Sequence, residues 1–459
     1  MRRDERSGLK IFAVLALLGA ICVGIFYLYN SPYLEQNPPK IGLEEQVYWN
    51  LQDPFEVEIS DDSGIKEIAI YLETEGKKEL LSQIRPTTST THQILKIALP
   101  KSMILNKNLD YKITFEVRDI SFWNFFMGNK TKDSFKIVID DERPKIQFLT
   151  NSYSIKRGGS AAVVFSVSDE HLKELYIQTD SGDKFEVKPF VKEGYYAAIV
   201  AWPANKNSYA AYVVAKDKAL NESKRRIRYY VDNRKFKDST IALNDRFING
   251  KISDLVEIYA KEPSSLVGTE RFKFVNETLR AKNEELIREK SGFIKESSLD
   301  PNFKLSPFMP LRGSRVVAGF GDHRYYTYNK KPVSESWHLG LDVASFVNAD
   351  IAISNDGEVL FVGDNGIYGN TILVYHGFGI SSLYAHCSAI GVSSGDNVKD
   401  GDIIGKTGNS GLAFGDHLHF GVIVQGYEVN PFEWMDKKWM EENIYKVFKR
   451  GKEIIDVTK

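Results

Sequence analysis

The feature that most constrains this chain is an uncharged, mainly apolar run from Ile11 to Tyr29. It follows the basic residues Arg2, Arg3, Arg6 and Lys10. As a helix rising ~1.5 Å per residue, such a run reaches across a hydrocarbon core of ~30 Å. The basic flank, residues 1–10, is expected to stay in the cytoplasm and send the rest outward. A cleaved signal peptide is the alternative, but the run is long and no small-x-small site follows it before Pro32. A lipid anchor on Cys22 fits poorly with bulky Ile21 just before it. The chain is thus divided into a cytoplasmic tail (1–10), a transmembrane anchor (11–29) and exported domains. The expected location is the inner (cytoplasmic) membrane, single-pass, with the C-terminal domains in the periplasm or outside.

Beyond the anchor, residues 30–45 hold Pro32, Pro38 and Pro39 and read as an extended tether. From 46 to 235 short alternating runs dominate, such as Phe55-Glu-Val-Glu-Ile59, Tyr111-Lys-Ile-Thr-Phe-Glu-Val117 and Ala162-Val-Val-Phe-Ser-Val167. Period-two alternation broken by Asp, Gly and Asn argues half-buried strands. The segment repeats weakly. Ile59-Ser-Asp-Asp-Ser-Gly-Ile-Lys-Glu-Ile68 is echoed by Val167-Ser-Asp-Glu-His-Leu-Lys-Glu-Leu175, and Phe115-Glu-Val-Arg-Asp119 by Val213-Val-Ala-Lys-Asp217. The order is kept at an offset of roughly 92–108 residues. That is the size of an immunoglobulin-like sandwich, so two are expected, at 46–141 and 142–235. No Cys…Trp…Cys pattern accompanies them, and the resemblance to bacterial surface modules is one of architecture.

Residues 236–300 change character. Runs beginning at Phe247 and Arg271 have helical spacing, with Phe272, Val275, Leu279 and Leu286 near one face. A helical connector is expected, either packed or gating the C-terminal domain. From 301 glycine density rises and strand-like runs return, at Thr371-Ile-Leu-Val-Tyr375 and Leu418-His-Phe-Gly-Val-Ile-Val424. A final helix, about 435–449, is expected to close the chain, with 436–459 as the C-terminal helical segment.

Net charge is −1, which gives no electrostatic case for nucleic acid. The two cysteines, Cys22 and Cys387, are not expected to pair, and no CxxC zinc site exists. Any metal must therefore use histidine and carboxylate. Of the chain's 8 histidines, His323, His338, His376, His386, His417 and His419 fall in one stretch. Zinc hydrolases need three protein ligands and an open position. His338-Leu-Gly-Leu-Asp342 offers an imidazole and a carboxylate, and His417-Leu-His419 offers two imidazoles on one face of a strand. HExxH is absent, which excludes the helical glutamate-base arrangement. His376 reads as a structural strand histidine. His323 reads equally as groove or turn, and Cys387 as a bystander.

These residues stand in an ordered set: Gly319-Phe-Gly-Asp-His-Arg324, Trp337-His-Leu-Gly-Leu-Asp342, Tyr368-Gly-Asn370, Ser382-Leu-Tyr-Ala-His386, Gly401-Asp-Ile-Ile-Gly405, Gly408-Asn-Ser-Gly411, His417-Leu-His-Phe420 and Asn430-Pro431. The set resembles the LytM/lysostaphin-type zinc endopeptidases, which cut peptide cross-links of bacterial peptidoglycan. The resemblance implies a mostly β, LytM-type antiparallel catalytic domain at 301–435. It implies one Zn2+ held by His338, Asp342 and His419, with His386 and His417 as catalytic residues and Asn370 and Tyr384 as substrate contacts. It implies peptidoglycan peptide stems as substrate, D,D-endopeptidase activity, and wall-synthesis or hydrolase partners. The alternative is a non-catalytic LytM-like regulator that activates another wall hydrolase. One departure is Tyr325–Trp337, which stands where the family has a short loop and reads as a surface or groove-shaping loop.

Overall fold

The computed structural model describes residues 4–29, 31–88, 90–100, 103, 105–106 and 109–458. Arg2 and Arg3 of the basic flank lie outside the described residues. The fold is mostly β, in two compact units: Met1–Arg143 with Lys216–Asn221, and Pro144–Ala215 with Glu222–Lys459.

In the first unit the apolar run forms the helix Asp4–Tyr29. Its stretch Lys10–Tyr27 has a mean hydropathy of 2.3 and none of it is buried, so by length and composition it can cross a membrane. Two sheets follow. One orders Lys40–Gly42, Phe55–Ser60 and His92–Ile97. The other orders Gln46–Trp49, Lys130–Ile139, Tyr111–Asp119, Ile65–Thr74 and Lys77–Ile84. Alternation sets the packing: Phe55, Val57 and Ile59 turn inward while Glu56 and Glu58 face water. Trp49, Ile68 and Phe115 from the second sheet meet them in one core.

The second unit begins with another pair of four-stranded sheets. Lys188–Phe190, Lys192–Ala201, Ser160–Ser168 and Lys145–Asn151 make one, and Lys184–Glu186, Leu172–Thr179, Ala211–Asp217 and Glu222–Arg226 the other. This sandwich shares its core with the C-terminal third. The terminal helix Lys446–Val457 lies on it, and Gly451 permits the approach: a Cβ there would sit 2.9 Å from the Val164 methyls. That contact gives the mid-helix glycine a packing reason, and the helix runs past 449.

The C-terminal sheet orders Arg315–Ala318, Leu341–Ala344, Leu418–Val424, Ile380–Ala385, Asn370–Gly377, Gly357–Asp364 and Asn397–Val398, with Tyr427–Val429 paired to Leu418–Val424. Its central strands are buried at every position. Ile372, Tyr384 and Val422 face the large core shared with the sandwich. Leu373, Leu383 and Ile423 face a second core built with Phe272, Val275 and Leu279 of the connector. A sheet covered on both faces loses the alternation that an exposed face would impose.

Two segments depart from expectation. The connector is helical at Ser253–Tyr259, Thr269–Lys273 and Arg280–Ser291, but it opens with a strand, Asp238–Ala242. This strand pairs in parallel with His323–Tyr328. The expected loop at Tyr325–Trp337 is a hairpin, His323–Tyr328 with Lys331–Trp337. Its two turn residues, Asn329 and Lys330, have φ of 50° and 64°, the pair of positive values that a tight hairpin turn requires.

Candidate metal centre

Antiparallel pairing of Leu341–Ala344 with Leu418–Val424 sets Asp342 directly opposite His419, so their side chains share one face. His338 reaches the same point from the turn before Leu341. Its Nε2 lies 3.0 Å from Asp342 Oδ1 and 3.2 Å from His419 Nδ1. His419 Nδ1 lies 2.9 Å from the same carboxylate oxygen. Gly340 makes room for this, since a Cβ there would fall 2.3 Å from His419 Nε2.

The donor chemistry of this triangle decides what it fits. His338 Nδ1 is 2.8 Å from the Gly319 carbonyl oxygen, so it carries the hydrogen. In the neutral ring Nε2 is then a bare lone pair facing a carboxylate. His338 Nε2 and the carboxylate oxygen, two acceptors pointed at each other, repel unless a cation sits between them. The edges of 2.9–3.2 Å are near the ~3.3 Å that separates two ligands of a tetrahedral ion at ~2.0–2.1 Å. The residues present therefore fit a zinc-type ion. Burial pushes the Asp342 carboxyl up, yet the His338 and His419 imidazoles beside it outweigh burial and hold the group far below the usual carboxylate range. Burial also lowers His419, against the pull of Asp342.

Two more imidazoles flank the triangle. The His386 and His417 rings lie 4.8 Å apart, and His386 lies 5.9 Å from His419. His386 Nδ1 is 2.8 Å from the Ser410 carbonyl oxygen, and His417 Nδ1 is 2.8 Å from that of Gly415. Each ring so presents Nε2 as an acceptor. His417 Nε2 stands 3.8 Å from Asp342 Oδ1. His386 is held down to about 3 by burial first and by its histidine neighbours next. Tyr368 sets its ring edge against His419 at 5.3 Å.

All five residues line one open groove. Its other wall comes from the connector, where Ile241, Phe247, Phe272 and Arg280 face in. Phe247 also reaches across to Phe414, ring to ring at 4.9 Å. Sequence reading did not reach these wall residues, because the strand pairing of Asp238–Ala242 and the packing of the connector helices bring them there.

The structure does not bring every expected residue to the groove. Tyr384 is fully buried, its hydroxyl 3.2 Å from Ser382 Oγ under the Phe420 ring. Alternation turns it to the core beneath the sheet, away from the groove lining. Asn370 is half-buried and spends its amide on the Cys387 carbonyl at 3.1 Å, away from the groove lining. His376 bonds to the Asp356 carbonyl and Ser382 Oγ and is lowered to about 4 by burial. His323 stacks on Trp337 at 4.2 Å, between Asp238 and Glu335. Cys387 is buried and its thiol is pushed up to about 12, which removes nucleophilic character at neutral pH.

Residues 336–431 match peptidase family M23 and form an M23 peptidase domain. Over 124 residues the chain is 36% identical to the DD-carboxypeptidase/endopeptidase Mpg of Neisseria meningitidis, a match covering 27% of each chain. Over 119 residues it is 33% identical to the peptidoglycan DD-endopeptidase ShyA of Vibrio cholerae, covering 26% of this chain and 27% of that one. The chain thus spans about a quarter of the length of the curated relatives it matches. Among solved structures, the catalytic domain of lysostaphin from Staphylococcus simulans is 27% identical with a TM-score of 0.22, over 26% of this chain and 91% of that one.

Proposed function

We propose that this protein is a membrane-anchored, zinc-dependent endopeptidase that hydrolyses peptide cross-links of bacterial peptidoglycan, acting as a D,D-endopeptidase. The observation that carries this reading is the convergence of His338 Nε2, Asp342 Oδ1 and His419 Nδ1 on one point, with two further imidazoles beside it in an open groove. The relatives named as peptidoglycan endopeptidases support the substrate class. When bound, zinc supplies Lewis acidity, polarising a scissile carbonyl and lowering the pKa of water.

The chain's own residues do the rest. Asp342 would offset part of the ion's charge, and the Gly319 carbonyl fixes the tautomer that leaves His338 Nε2 free. His386 and His417 each face the groove with Nε2 as acceptor, so one can take the proton released on attack and return it to the leaving amine. The other, once protonated, can hold the developing oxyanion. The connector wall of Phe247 and Phe272 bounds the groove opposite the imidazoles. The helix Asp4–Tyr29 would hold the protein in the inner membrane with both units in the periplasm.

Mass spectrometry of muropeptides released from defined cross-linked peptidoglycan tests the reading, with zinc measured on the same preparation. Conversion of cross-linked dimers to monomers is expected. A zinc-free protein that stimulates a second hydrolase and cuts nothing itself would instead be the non-catalytic regulator.

A further inference from the structure

Away from the histidine centre, in the first unit, three carboxylates meet. Glu35 comes from the tether after the apolar helix, Asp61 from the turn after Phe55–Ser60, and Asp119 from the end of Tyr111–Asp119. One oxygen from each lies within 4.8 Å of the others. Asp119 is fully buried and Asp61 is 7% exposed. Among the described residues no Lys, Arg or His forms an ion pair with any of the three.

The hydrogen bonds show which oxygens are spoken for. Asp61 Oδ1 accepts from Ser63 N, Ser63 Oγ and Gly64 N at 2.8–2.9 Å. Asp61 Oδ2 is left buried with no partner, and so is Glu35 Oε2. A buried carboxylate oxygen with no protein donor is costly, and positive charge beside the three carboxylates would offset that cost. Burial first, then the neighbouring carboxylates, raises both Glu35 and Asp119, though their hydrogen bonds pull the other way.

The tether is fastened so as to hold Glu35 in place. Its carbonyl accepts from Ser121 Oγ at 2.7 Å and from Asn129 Nδ2 at 3.0 Å. Asn129 in turn clasps Asp119 through N and Nδ2 at 2.8 and 2.7 Å. The clasp recurs at the next linker, where Asn221 holds Asp217 and donates to the Asp140 carbonyl at 2.8 Å.

We propose that Glu35, Asp61 and Asp119 form a second metal site, which takes a hard divalent cation of the calcium type and clamps the membrane tether to the first sandwich. The donors are all oxygen, which suits calcium or magnesium and not a thiolate- or imidazole-seeking metal. Calcium accepts irregular shells of carboxylate oxygens where magnesium demands a tight octahedron. Surface pockets reach Asp61 on one side and Glu35 on the other.

The test uses full-length protein in detergent, stripped of divalent ions and titrated with terbium as a calcium probe. Trp123, bonded through its backbone to Ser121 Oγ, is placed to sensitise the emission. Saturable emission displaced by calcium is expected. Asp61→Asn and Glu35→Gln should each weaken terbium binding ~10-fold or more, the scale on which ligand charge tunes such sites, while His338→Ala leaves it unchanged. Glu35→Gln lies in the tether, outside the sandwich core, and stays informative if Asp61→Asn misfolds. Absence of saturable emission, failure of calcium to displace it, or equal affinity in Glu35→Gln overturns the proposal.

Discussion

His338 Nδ1 lies 2.8 Å from the Gly319 carbonyl oxygen, and that contact turns Nε2 toward Asp342. The tautomer is set by backbone, so the centre is preformed for a cation. His338→Ala and Asp342→Ala should each lose zinc, by more than the ~10–100-fold that accompanies loss of an outer-shell partner. Peptidoglycan cleavage should vanish with it. Metal analysis after dialysis, together with muropeptide release, checks this; full zinc occupancy in Asp342→Ala would sink the assignment.

His417 sits outside the triangle, its Nε2 3.8 Å from Asp342 Oδ1. His417→Ala should therefore keep zinc and lose turnover by ~10²–10⁴-fold, the usual contribution of a general acid or base. His386→Ala should behave alike. Single-turnover kinetics at matched zinc content separates the two effects, and loss of metal in His417→Ala would place that residue among the ligands.

Much of the architecture is written in local pattern. Phe55, Val57 and Ile59 alternate because one face of their sheet is wet, and the mostly β character follows from such runs. The run after Lys10 reads as a helix from composition alone. The pairing of Asp342 with His419 joins positions far apart in the chain, yet two short motifs rich in metal-binding side chains announce it. Other features depend on partners that local pattern does not contain. Asp238–Ala242 is a strand only because His323–Tyr328 offers an edge. Tyr384 stands two residues before His386 in a candidate motif, but strand alternation sends its ring inward. Arg280 and Phe272 carry no signal for the groove, since the connector's packing alone brings them there.

Phe272 joins the connector to the catalytic sheet. It is 1% exposed and meets the Tyr326 ring at 4.7 Å and Phe247 at 6.3 Å. Phe272→Ala should cost ~3–5 kcal/mol, as for other buried aromatic truncations. Because the same ring lines the groove, the rate of cross-link cleavage should fall while zinc stays bound. Denaturant unfolding and metal analysis on one sample check both parts. A loss under about 1 kcal/mol would mean that the connector packs only loosely.

Glu433 joins the peptidase sheet to the sandwich before it. Its carboxylate accepts from Ser160 N at 3.1 Å, and a Cβ on Gly159 would fall 2.5 Å from it. Burial raises its pKa to about 7, against the Ser160 hydrogen bond and the charges of Arg234 and Lys156. The raised folded value means that the native state keeps a proton which the unfolded chain has released above its ordinary value of 4.5. The Glu433 contribution is thus fully present below pH 4.5, declines as pH rises and is gone once pH passes about 7. The decline should amount to ~1–3 kcal/mol. Glu433→Gln, which keeps an acceptor for Ser160 and cannot ionise, should remove that part of the decline and equal or exceed the parent in stability at pH 8. Thermal midpoints of both proteins across this window decide it: parallel pH profiles would show that Glu433 titrates as it does in the unfolded chain.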